Sequence, residues 1–97
     1  MRKLKKCFEF SGDEYFFQGH FPEVKVLPGV MQLKMARDFI EESLGGPINP
    51  KLIKRMKFMR VVRPGDKLEL EIELADGECD YVFSTGGEKC SSGSFVF

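Results

Sequence analysis

The 97-residue sequence predicts an α+β domain, with one long helix followed by an antiparallel sheet of about five or six strands, and three observations predict it. Helical periodicity is confined to one stretch, Val30 to Leu44. After Pro50 the chain reads as strand, alternating without error over Lys67 to Leu74. The late connections, Arg63-Pro64-Gly65-Asp66, Asp76-Gly77 and Thr85-Gly86-Gly87-Glu88, are turns too short for the crossovers that parallel strands require.

Taken in order, the first element is a strand whose Leu4, Lys6, Phe8 and Phe10 share one face. Ser11-Gly12-Asp13 then turns the chain toward a second short extended piece at Tyr15-Phe16-Phe17. Gln18 to Val26, with Gly19 and Pro22 and few alternating positions, reads as an ordered loop that Pro28-Gly29 closes. In the helix, Val30, Leu33, Ile40 and Leu44 lie on one side, and Met31, Met35, Ala36 and Phe39 extend the apolar arc. Lys34, Arg37, Asp38, Glu41 and Glu42 are left as a compact polar strip. A helix apolar over more than half its circumference is expected to be largely enclosed, and Gly45-Gly46-Pro47 stops it. Lys51 to Val62 is a strand rich in basic and apolar residues. Leu68, Leu70, Ile72 and Leu74 then face inward against Lys67, Glu69, Glu71 and Glu73, and Tyr81 to Phe83 and Cys90 to Phe97 complete the sheet.

Composition narrows the function classes. With 42% apolar and 12% aromatic residues the chain can bury one core, so residues 1–97 are expected to form a single domain. A sheet protein this small leaves much of its surface uncovered and gains from pairing with a second copy, which predicts a homodimer or a higher homo-oligomer. Fifteen basic and fifteen acidic side chains cancel, so no global field draws the protein to nucleic acid or to an anionic membrane. The charges are segregated all the same. Ten basic residues lie in Arg2 to Lys6 and Lys51 to Arg63, and seven acids lie between Asp66 and Asp80. If the two basic stretches share a surface they could receive an acidic partner; the alternative is two solvated strand faces. Cys7, Cys79 and Cys90 are odd in number and widely spaced, which argues against a disulfide framework or a zinc site and fits a reducing cytoplasm. Neither a signal peptide core nor a transmembrane-length run is present, so a soluble cytoplasmic protein is expected.

The only histidine, His20, sits in the loop leading to the helix, and imidazole is the side chain most easily poised to accept a proton near neutral pH. Its setting is the string Phe17-Gln18-Gly19-His20-Phe21-Pro22, followed by Leu27-Pro28-Gly29-Val30-Met31-Gln32-Leu33. This string resembles the active-site motif of the beta-hydroxyacyl-acyl carrier protein dehydratases, in which Gly-His-Phe-Pro precedes Pro-Gly-Val by the same interval. Phe58 to Asp66 looks like the strand and turn before the central strands of those enzymes, and Gln32-Leu33 is similar to a dehydratase-like branch associated with aryl polyene pathways. The resemblance implies a hot-dog fold, in which a sheet wraps one buried helix. It also implies removal of water from a 3-hydroxyacyl thioester carried by acyl carrier protein, giving the trans-2-enoyl thioester. His20 then matches the general base and Gly29 the residue whose backbone NH faces the thioester carbonyl. Phe21, Pro28, Val30 and Leu33 match the wall that holds the substrate. No cofactor is implied beyond the carrier's own phosphopantetheine arm, and no metal.

One position departs from the family. Where those enzymes carry Glu or Asp, five positions after the motif's glycine, this chain has Lys34. Three readings stay open. Lys34 itself could donate the proton if partly desolvated, since desolvation depresses an ammonium pKa. Asp38, one turn further on, could take over. Alternatively the acid is gone, and Lys34 and Asp38 form an ordinary i,i+4 ion pair. In that last case the domain could bind an acyl thioester without dehydrating it or act as the partner of a second chain. It could also hydrolyse thioesters through Asp38 or Glu41.

Overall fold

The alternation read between Lys67 and Leu74 forms the strand against which the first strand is laid. A computed structural model describes residues 2–10 and 26–97, and its elements are β1 (Arg2–Glu9), α1 (Gly29–Leu44), β2 (Leu52–Phe58), β3 (Lys67–Ala75), β4 (Glu78–Thr85) and β5 (Glu88–Val96). They make one antiparallel sheet in the order β1-β3-β4-β5-β2. The extended piece expected at Tyr15-Phe16-Phe17 and the loop containing His20 and Phe21 fall outside the described residues.

Strand periodicity sorts the sheet into two faces. Leu4, Leu70, Ile72, Tyr81, Phe83 and Phe95 line the inner one, with the β3, β4 and β5 residues among them almost fully buried. The Tyr81 ring packs at a tilt of 46° against Phe95, with 5.5 Å between centroids. Burial pushes the Tyr81 phenol up to about 12, and burial, with the Asp80 charge adding, pushes the Cys79 thiol up to about 11. Both groups therefore stay protonated and act as packing residues.

The outer face decides what the charge segregation means. Lys3 lies opposite Glu73 in register, and Lys5 lies within 3.5 and 3.6 Å of Glu69 and Glu71, whose charges hold the lysine above its ordinary pKa. Lys3 and Lys5 of the first basic stretch are thus matched to the acids of β3, the neighbour of β1 in the sheet. The second stretch, in β2, stands at the opposite edge of the sheet, so the two do not share the single basic surface that linear segregation left possible.

Helix α1 rests on the inner face through Gln32, Ala36 and Ile40, a stripe repeating every fourth residue. Lys6 projects from the same face of β1 to Glu42 at 3.1 Å, and the Arg2 guanidinium donates to the Ser43 carbonyl, so the first strand also clamps the helix C-terminus. The enclosure expected all round the helix is only partial in the single chain. Met31, Leu33, Met35 and Phe39 are half-buried against the core, whereas Val30 is 72% and Leu44 53% exposed. One sheet face covers one side of a helix, and an arc wider than that needs a second surface.

Gly45 ends the helix in the left-handed region, φ 79°, where its NH reaches the Glu41 carbonyl at 2.9 Å. A Cβ there would touch nothing within 4 Å, so the demand is purely on the backbone. Gly45→Ala is expected to lower the unfolding free energy by about 1 kcal/mol in urea titration with an unchanged slope. An unchanged midpoint would contradict that reading.

Candidate active site

Pro28 occupies the N-cap of α1 in extended conformation (φ −61°, ψ 145°), with no side-chain cap, and its carbonyl accepts from Met31 N at 3.0 Å and Gln32 N at 3.2 Å. The NH groups of Gly29 and Val30 precede those bonds and have no intrahelical acceptor, and the positive end of the helix dipole adds to them. The approach to the helix is fixed one residue earlier, where Leu27 N donates to the Val62 carbonyl at 2.7 Å.

Gly29 is glycine for a visible reason: a Cβ on it would lie 2.8 Å from Cε1 of Phe58. The phenylalanine ring lies across the first turn of the helix, and a cavity of about 430 Å³ opens beside it, its lining including Pro28, Gly29, Gln32, Phe58 and residues 59–61. A donor at a helix N-terminus with a cavity in front of it is an arrangement that stabilises charge developing on a carbonyl oxygen.

Of the residues expected from sequence, the structure brings Pro28 and Gly29 to this cavity. His20 and Phe21 lie outside the described residues. Val30 faces outward, and Leu33 is half-buried against the core. Lys34 and Asp38 form an ion pair of 2.8 Å on the exposed side of the helix, their side chains 61% and 54% accessible. The desolvation that would make Lys34 a proton donor is therefore missing in the single chain. Glu41 is committed as well, accepting from Ile48 N at 2.9 Å and lying near Arg37.

Gln32, read from sequence only as part of the motif string, takes a structural role of its own. It is 3% exposed; its Oε1 accepts from the Ser91 hydroxyl at 2.6 Å, and its Nε2 approaches the Leu27 carbonyl at 3.4 Å. The signal was present: Gln32 begins the stripe continued by Ala36 and Ile40, so a polar side chain stands on the most buried line of the helix.

The basic residues of the β2 region divide into two groups. Lys54 and Arg55 both reach Glu78 at 2.9 Å, and the hydrogen bond from Lys54 leads the causes that hold that carboxyl below its ordinary range. Arg60 lies near Asp66 and Glu88. Lys51, Lys57 and Arg63 have no ion-pair partner among the described residues. Simple alternation would put Lys54 and Lys57 on opposite faces, but a one-residue bulge, with Arg55 at φ 57°, places them opposite Ser94 and Ser92 on the same one.

Comparison with known proteins agrees with this architecture. Residues 2–94 match the family described as ApeI-like, ApeI dehydratase. The 3-hydroxyacyl-[acyl-carrier-protein] dehydratase FabZ of Natranaerobius thermophilus is 34% identical over 107 aligned positions, covering 98% of this chain and 75% of that protein. The FabZ of Clostridium novyi is 44% identical over 69 positions, covering 64% of this chain and 49% of that one. The chain thus spans about half the length of several curated relatives it matches. Among solved structures, the dehydratase heterocomplex ApeI:P from Xenorhabdus doucetiae superposes with a TM-score of 0.88 at 22% identity, over 97% of this chain and 85% of that one. That likeness establishes the hot-dog fold.

Proposed function

Because the chain belongs to the ApeI-like family of dehydratases, related to the FabZ enzymes, we propose that it dehydrates a 3-hydroxyacyl thioester on acyl carrier protein to the trans-2-enoyl thioester. The observation that supports this most is the Gly29 NH at the start of α1, beside an open cavity and downstream of the His20 motif. In the proposed reaction His20 takes the C2 proton, and the Gly29 NH meets the negative charge that gathers on the thioester oxygen. The C2–H electron pair becomes the C2–C3 double bond, and the C3 hydroxyl leaves as water with a proton supplied by Lys34, by Asp38 or by an acid of the second chain. Phe21, Pro28, Val30 and Leu33 are assigned to the acyl-binding wall, Val30 and Leu33 joining it where a second chain covers the outward side of the helix. Lys51, Lys57 and Arg63 are the cations available to an acidic carrier, and fatty acid, polyene or polyketide synthesis in the cytoplasm is the setting.

The working unit is a dimer built across β2. Among the described residues this strand has a neighbour on one side only, and Leu52, Met56, Phe58, Met59 and Val61 are exposed on and just after it. A homodimer is the simplest such assembly. A second reading is favoured by Lys34, which is paired with Asp38 on the exposed side of the helix, so that among the described residues no carboxyl lines the Gly29 cavity. On that reading the chain is one half of a site, and a different hot-dog chain supplies the acid. Thioester hydrolysis gains no support, because Asp38 and Glu41, its carboxylate candidates, are both engaged away from the Gly29 cavity.

Incubating the purified protein with 3-hydroxyacyl-loaded carrier, and following the carrier by native mass spectrometry, tests both readings. Loss of one water from the acyl chain is the expected result. Stoichiometric carrier binding without water loss would favour the half-site reading, and absence of both binding and turnover would remove the proposal.

A further inference from the structure

Nothing in the dehydratase reading accounts for a fully buried polar contact between the first turn of the helix and the middle of the sheet. Gln32 and Ser91 are 3% and 0% exposed, and the 2.6 Å bond between them is directional. An apolar pair would hold the helix against the sheet equally well but would let it rotate and slide.

The pairing of β2 with β5 shows what that direction controls. Ser91 lies directly opposite Phe58 in register, so the two side chains are neighbours on the inner face. On the helix, Gly29 and Gln32 are three residues apart and share a face. The two neighbours on the sheet therefore grip the two neighbours on the helix: Ser91 bonds Gln32, and the Phe58 ring lies on Gly29. Two points of attachment fix both the rotation of the first turn about its axis and its height above the sheet. The Gln32 amide also reaches back to Leu27, whose own NH is held by Val62, so the incoming loop is tied to the same clasp.

We infer that the Ser91–Gln32 hydrogen bond, with Phe58 on Gly29, is a clasp that aims the Gly29 NH at the thioester oxygen, and that Gln32 and Ser91 are positioning residues for the reaction. The inference rests on the dehydratase reading of the site. A displaced donor stabilises the transition state less while the acyl wall, made by other residues, still binds substrate, so the loss falls on kcat.

The test uses the assembly in which the wild-type chain turns over 3-hydroxyacyl carrier. Ser91→Ala is expected to lower kcat by about ten- to a hundredfold with KM changed by less than about twofold, and Ser91→Thr, which keeps the hydroxyl, to restore most of the rate. The double variant Gln32→Leu with Ser91→Ala replaces the pair by apolar groups and is expected to recover thermal stability but not kcat. An unchanged kcat in Ser91→Ala overturns the clasp, as does recovery of kcat together with stability in the double variant. If the wild-type chain shows no turnover, the dehydratase reading fails separately, and the clasp is read from the Gly29 amide resonance during titration with a 3-hydroxyacyl pantetheine thioester. A shift in the wild type that Ser91→Ala abolishes supports the clasp. No shift, or the same shift in both proteins, overturns it.

Discussion

Alanine at position 20 is expected to cut dehydration by about a hundred- to ten-thousandfold, the range typical of removing a positioned proton acceptor. His20 is the sole imidazole of the chain, and the segment that contains it runs into Leu27 and Pro28, which are tied to Val62 and to the first turn of the helix. The variant should still fold, because among the described residues α1 and the inner face of the sheet already make a continuous core. Substrate contacts along the acyl chain should also survive, so the loss is expected in kcat rather than KM. The pH profile gives a second readout. A neutral imidazole is the competent form of a base, so the wild-type rate should rise with pH on the acid side of its profile, and that limb should disappear in His20→Ala. Robust turnover by the variant, with the acidic limb intact, would remove His20 as the base.

Glutamate in place of Lys34 is the second informative change, and here the expected direction is a gain of about tenfold or more. The position lies five residues after Gly29, where the family's carboxyl stands, and in this chain it holds an ammonium paired at 2.8 Å with Asp38. Supplying a carboxyl that can protonate the departing hydroxyl should speed the reaction. The structural consequence is small. Both side chains are more than half exposed, so losing their pair and setting two carboxylates one turn apart should cost less than about 1 kcal/mol. Turnover measured beside thermal unfolding would separate the two effects. A fall in rate with unchanged stability would show that Lys34 itself, or a contact it makes with another chain, contributes to the reaction.

Much of this site was legible in the sequence because its parts are local. A helix start needs only Pro28, Gly29 and the apolar periodicity behind them, and the departure at Lys34 needs only a count along the helix. The Lys34–Asp38 pair was among the expected readings for the same reason, since residues four apart meet on any helix surface. The clasp was not legible, because Ser91 lies 59 positions from Gln32 in the chain and only the sheet brings them together. The common face of Lys54 and Lys57 was hidden for a related reason: a bulge inserts one residue into the alternation, and nothing in the string Lys-Arg-Met-Lys announces it.

By itself, then, the sequence determined the types of the described elements, the shared face of β1 and the inward face of β3, the helix and its glycine stop, and the motif around His20 and Gly29, all of which depend on period and near neighbours. Tertiary structure alone decided which strands became edges, and hence that the two basic stretches stand apart. It also decided that Val30 and Leu44 remain uncovered in the single chain, and that a buried Gln32–Ser91 bond beside Phe58 orients the first turn of the helix. Periodicity says which side of an element turns inward. Only the packed sheet says what meets it there.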